Sequence, residues 1–75
     1  MEIAGLKEIR KQRKYTQQKL AFELNISREA LSYYENGRRS PDIEMLVKIS
    51  DYFMVPIDLL IRGSEQYYAL VWSIK

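Results

Sequence analysis

Four side chains within SREALSYYENGRRS (residues 27–40) fall on one strip of a helix: Arg28, Glu29, Ser32 and Tyr33. With successive residues about 100° apart, Ser32 lies about 40° from Arg28, Glu29 about 100° and Tyr33 about 140°. Ala30, Leu31 and Tyr34 fall on the opposite arc, which is apolar enough to bury. The outer strip therefore offers a guanidinium, a carboxylate, a hydroxyl and a phenol side by side. That mixture suits a surface presenting donors, acceptors and apolar groups in close register, which describes the base edges of a DNA major groove. On this reading Arg28 forks onto guanine and Glu29 accepts from a cytosine amine. Tyr33 lays its ring on a thymine methyl or its hydroxyl on a phosphate. An isolated helix with such a strip is more often an ordinary solvent-facing one, so the decision rests on the elements around it.

Those elements are short helices. Ile3, Leu6, Ile9 and Arg13 share a face of a first helix, at about residues 3–13. Thr16 caps a second helix with the buried stripe Leu20, Ala21 and Leu24, and Asn25 closes it in a left-handed conformation. Ser27 caps the third, which ends at Asn36-Gly37. Ser40 or Asp42 caps a fourth, from about Ile43 to Phe53, with Met45, Leu46, Ile49 and Phe53 inward. A short fifth helix, packing through Leu59 and Leu60, starts near Val55-Pro56 and stops at Gly63. Two capped helices joined by Asn25-Ile26 form a helix-turn-helix. Gln17 opens its first helix, where free backbone N–H groups and the helix dipole favour a phosphate. Thr16 and Ser27 stand at the two helix starts, and Asn36, Arg38 and Arg39 lie just past the third helix. These six form the expected phosphate-facing set, which fixes register while the outer strip reads sequence.

The segment TQQKLAFELNISREALSYYENGRRSPDIEMLVKISDYFMVPIDLLI resembles the XRE/Cro-type helix-turn-helix family, the lambda-repressor-like DNA-binding domains. The matching elements are Leu6 and Arg10, Thr16-Gln17 with Leu20-Ala21, Ser27, Tyr34-Glu35-Asn36-Gly37, Pro41, Leu46, and Val55 with Leu59-Leu60. They span about residues 3–61. The resemblance implies an all-α, compact five-helix bundle with a central helix-turn-helix, acting as a dimer on double-stranded DNA. It implies phosphate contacts from Gln17 and Asn36, base-reading positions at Arg28, Glu29, Ser32 and Tyr33, and a structural ion pair between Arg10 and Glu35. The chain departs from the family's pattern at Lys14 and Asn25, where glycine is common. A left-handed Lys14 costs about 1 kcal/mol; otherwise the first turn differs. Phe22, where the family usually has a polar residue, is a lone exposed aromatic or receives the tail.

Composition narrows the function classes. The chain has 75 residues and 47% hydrophobic content, sufficient for one small core. It has no cysteine and no histidine, which removes thiolate sites, the commonest general base and the commonest metal ligand. With no phosphate-cradling glycine loop and no plausible carboxylate pair, an enzyme is not expected, nor a metal or cofactor. No long apolar run or signal-peptide core is present, so a cytoplasmic protein is expected. Residues 1–39 hold nine Lys/Arg and five Asp/Glu, against three and five in residues 40–75. A basic half beside an acidic one suits a polyanion on one face.

The tail, residues 64–75, lies beyond the domain at 1–63. Tyr67, Leu70, Val71 and Ile74 fit a helical stripe; Tyr68, Leu70, Trp72 and Ile74 fit strand alternation equally well. It folds back on its own domain or serves self-association. In the second case Leu60, Tyr67, Leu70, Val71, Trp72 and Ile74 form a homodimer surface. No effector domain is expected after it. A small dimeric repressor is the reading this supports. The alternative is an antitoxin or protein-interaction module that binds a partner protein through the C-terminal half.

Overall fold

The computed structural model describes residues 3–73, which form six helices and no strand. They are α1 Ala4–Gln12, α2 Gln17–Leu24, α3 Arg28–Glu35, α4 Ile43–Phe53, α5 Ile57–Arg62 and α6 Ser64–Ser73. The tail left open between helix and strand is thus a sixth helix. No helix among the described residues is long and apolar enough to cross a membrane.

Local chemistry sets the helix starts. Thr16, Ser27 and Asp42 each accept a hydrogen bond from a backbone N–H three residues on: Lys19 at 3.0 Å, Ala30 at 3.0 Å and Met45 at 2.8 Å. Each satisfies one of the donors a helix start leaves open. Of the two candidates before the fourth helix, Asp42 is the cap. The ends use left-handed residues: Asn25 (φ 61°) after α2 and Met54 (φ 56°) after α4. Lys14 is also left-handed (φ 63°), so the first turn keeps the shape that favours glycine and carries a lysine in it. Met54 had no sequence signal. Its side chain is 90% exposed, so the turn is bought by the hydrogen bond from Val55 N to Ser50 O and that from Ser50 Oγ to Val55 O.

The core gathers one stripe from each of the first five helices. Leu6 and Ile9 meet Leu20, Ala21 and Leu24, Leu31, and Leu46, Ile49 and Phe53, with Ile3 and Leu60 closing one side. Leu60 is 1% exposed. Its expected packing holds, and its expected place on an association surface is corrected: α5 is short and turns Leu60 inward. Tyr15 and Phe53 meet edge-to-face at 5.8 Å, and the Tyr15 and Tyr52 hydroxyls are 2.8 Å apart. That bond is the main reason the Tyr52 phenol is pushed up to about 12, with desolvation and the Glu23 charge acting in the same direction.

Helix α6 packs against α5 and is held at its start by α1. The Glu8 carboxylate accepts from Ser64 N and from Ser64 Oγ, both at 2.8 Å, and so caps α6 from another helix. None of α6's residues is buried, so its apolar side chains do not fold back into the core. Phe22 is 77% exposed and does not receive the tail.

Helices α1 and α5 approach with their backbones. A Cβ at Gly5 would stand 2.3 Å from Leu59 O and 2.9 Å from Leu60 O, both main-chain atoms that cannot swing aside. Gly5→Ala is therefore expected to lower stability by about 1–3 kcal/mol. The measurement is a fall in the urea midpoint at unchanged slope.

Candidate nucleic-acid interface

Helices α2 and α3 are joined by a three-residue turn that is fixed from both sides. Left-handed Asn25 ends α2, Ile26 N donates to Ala21 O at 3.0 Å, and the Ile26 side chain packs on the core. Leu31, fully buried, pins α3 from below, with Ala30 and Tyr34 half-buried beside it. Arg28, Glu29 and Tyr33 are left exposed and Ser32 half-exposed. The four residues expected to face outward therefore do share one accessible strip. Among the described residues, Arg28 and Glu29 form no ion pair with each other or with anything else.

A buried polar network sets the angle of that strip. Arg10 Nε donates to Glu35 Oε2 at 2.6 Å and Nη2 to Oε1 at 3.2 Å, while Nη1 donates to Tyr15 O at 2.8 Å. The Glu35 side chain is 1% exposed and that of Arg10 9%. A third donor, Gln17 Nε2, completes the carboxylate's shell at 3.0 Å from Oε1. The network joins α1, the first turn, the start of α2 and the end of α3. The Gln17 link had no sequence signal, because its partner is eighteen residues away and its helix position pointed only outward.

The other expected contacts lie around the strip. Thr16 and Ser27 spend an oxygen lone pair on capping, and their hydroxyl hydrogens remain free to donate. Gln17 keeps one of its two amide hydrogens beyond the bond to Glu35. Asn36 Nδ2 reaches Ser32 Oγ at 3.3 Å. Arg38 and Arg39 are exposed, and their backbone N–H groups both bond Tyr33 O, so the chain wraps the end of α3. On α6, Leu70, Val71 and Trp72 are exposed, as is Tyr68; Tyr67 is half-buried and meets Tyr68 edge-to-face at 5.2 Å. Ile74 lies outside the described residues.

A family model described as Helix-turn-helix matches residues 6–60. The chain belongs to this helix-turn-helix family. It is 47% identical over 61 residues to the HTH-type transcriptional regulator YqaE of Bacillus subtilis, covering 81% of this chain and 53% of that one. It is 42% identical over 60 residues to the HTH-type transcriptional activator BcrR of Enterococcus faecalis, covering 80% and 29%. The chain thus spans about half of the first and less than a third of the second. The crystal structure of a transcriptional regulator from Listeria innocua superposes with a TM-score of 0.69 at 25% identity, covering 92% of this chain and 70% of that one. The all-α helix-turn-helix fold expected from the residues is shared with the Listeria regulator.

The buried pair makes a distinct prediction. Glu35→Ala leaves Arg10 buried without its anion and is expected to cost about 3–5 kcal/mol. Joint replacement by Arg10→Met and Glu35→Leu removes both charges at similar volume and is expected to recover most of that loss. Urea denaturation of Glu35→Ala and of the joint variant, each against the native protein, gives the comparison.

Proposed function

We propose that this protein is a sequence-specific DNA-binding transcriptional regulator that lays α3 in the major groove. The observation that carries the reading is the accessible and chemically mixed strip of α3, in which Arg28 and Glu29 form no ion pair among the described residues, standing on a helix whose other face is locked into the core. Arg28, Glu29, Ser32 and Tyr33 face base edges, and Thr16, Gln17, Ser27, Asn36, Arg38 and Arg39 hold phosphates on either side. Support comes also from family membership and from relatives named as transcriptional regulators. Binding is non-enzymatic and takes place in the cytoplasm. Occupying an operator so that it is closed to other proteins makes it a repressor.

Two kinds of contact respond differently to substitution. Arg28→Ala is expected to cost about 1–3 kcal/mol on the selected site and to relax base preference at one position. Arg38→Ala should weaken all sequences alike and reduce the salt slope by about one. Electrophoretic titration over selected and random duplexes at several salt concentrations separates them. Equal affinity of the native protein for every duplex would sink the reading.

We further propose a homodimer, with the exposed apolar side of α6 as its seam. A two-fold pair sets two α3 helices about 34 Å apart, one turn of DNA. Support comes from Leu70, Val71 and Trp72, which expose large apolar side chains on a helix that buries none. Leu70→Glu with Val71→Glu is expected to give a monomer in sedimentation and to weaken DNA binding. A native protein that sediments as a monomer counts against the seam.

A further inference from the structure

Glu29 lies in the first turn of α3, where the helix dipole favours an acid, yet no side chain of the described residues pairs with it. Up to Arg39, every other described carboxylate is bonded to another group of the chain. Glu8 caps α6, Glu23 pairs with Lys19 at 3.2 Å, and Glu35 holds Arg10 and Gln17. Glu29 alone has no partner among the described residues of that half. Six cations there are also without one: Lys7, Lys11, Lys14, Arg28, Arg38 and Arg39. A carboxylate placed among them, on the strip that meets a polyanion, weakens binding unless it receives a hydrogen bond there. It does not take one from Arg28, since adjacent residues on a helix diverge by about 100°.

The donors a major groove offers are few: the cytosine N4 amine and the adenine N6 amine. They differ in their neighbours. Adenine N6 sits beside the N7 acceptor of the same base, which repels a carboxylate. Cytosine N4 sits beside a C5–H edge, which does not. A lone carboxylate is thus matched to cytosine. Arg28, one residue earlier and equally exposed, is matched to the O6 and N7 acceptors of guanine. Opposite charges that leave each other unpaired are satisfied together by a G·C step and by no A·T step.

We infer that Arg28 and Glu29 form a two-charge reader for a G·C step in the operator half-site, with guanine under Arg28 and the cytosine N4 amine bonded to the Glu29 carboxylate. The inference rests on the proposal that α3 reads the major groove. Glu29 acts here as an acceptor of a base hydrogen bond, and not merely as a charge that turns away wrong partners.

Selection from a random duplex pool with the full chain tests it. A G·C step is expected at one fixed place in each enriched half-site. Glu29→Gln should then change cytosine to adenine at a single position, because an amide pairs with adenine N6 and N7. In the selected site, N4-methylcytosine at that position keeps the base-pairing hydrogen and puts the methyl where the groove-facing one was. It should weaken the native protein about tenfold, the size of one lost base contact, and leave Glu29→Ala unaffected. A pool that yields no preferred sequence overturns the DNA-reading proposal itself. A preferred site that tolerates N4-methylcytosine, or that Glu29→Ala binds as tightly as the native protein does, overturns the G·C reader while the DNA reading stands.

Discussion

The position of everything on the proposed DNA-facing side depends on one carboxylate. Glu35 is almost sealed from water and takes three hydrogen bonds, two from Arg10 and one from Gln17. Arg10 in turn holds the Tyr15 carbonyl in the first turn. No buried side-chain N or O atom of the described residues lacks a partner, so the network is complete. A buried ion pair is a poor source of net stability, because desolvating two charges offsets most of their attraction. Its contribution here is geometric. Apolar surfaces tolerate sliding, whereas a bidentate pair with a third donor fixes distance and angle at once. That pair ties the end of α3 to α1 and to the start of α2, the two places from which side chains reach outward.

Seen from this anchor, α3 has three parts with different duties. Leu31 gives depth by full burial, Glu35 gives rotation through Arg10, and the turn at Asn25-Ile26 gives the angle to α2. What remains on the surface is not needed for packing, though Glu29 suits the first turn of the helix and Ser32 accepts from Asn36. That is why a helix of eight residues presents four polar side chains in fixed array, though it would be unstable alone. Asn36 illustrates the economy of the arrangement: its backbone N–H ends the helix on Ser32 O while its amide reaches the Ser32 hydroxyl.

The sequence made local features readable and distant ones not. Thr16, Ser27 and Asp42 announce themselves because a cap bonds a donor three residues away. Asn25 announces its left-handed turn because its short amide tolerates that conformation. Met54 takes the same conformation with no such trait, held by Ser50 and Val55 around it, so nothing in its type betrays it. Arg10 with Glu35 came from family resemblance, since twenty-five residues separate them. Glu8 with Ser64, fifty-six apart, had no motif to carry it. Leu60 shows a third limit. In a helix as short as α5, apolar type marks Leu59 and Leu60 for packing but does not say that Leu60 is withdrawn from the surface; the close approach of α1 at Gly5 buries it.

A small core forces much of the polar chemistry into holding helices together by their ends. Arg13 donates to Phe53 O at the end of α4 and stands over the Phe53 ring at 5.7 Å. Lys48 donates to Leu24 O at the end of α2, and Glu8 caps the start of α6. Each link satisfies a backbone group that a helix terminus leaves open, and each puts a charge at the pole of the dipole that favours it. These links also sort the charges by duty. Arg10, Arg13 and Lys48 are committed to the fold, as are Glu8 and Glu35. The nearly balanced total of +2 therefore conceals an imbalance among the charges that are left. Up to Arg39 the uncommitted side chains of the described residues are cationic except at Glu29. That field reflects the excess of lysine and arginine in residues 1–39, nine against five acids, because internal bonds there withdraw three cations (Arg10, Arg13 and Lys19) and three acids (Glu8, Glu23 and Glu35) alike.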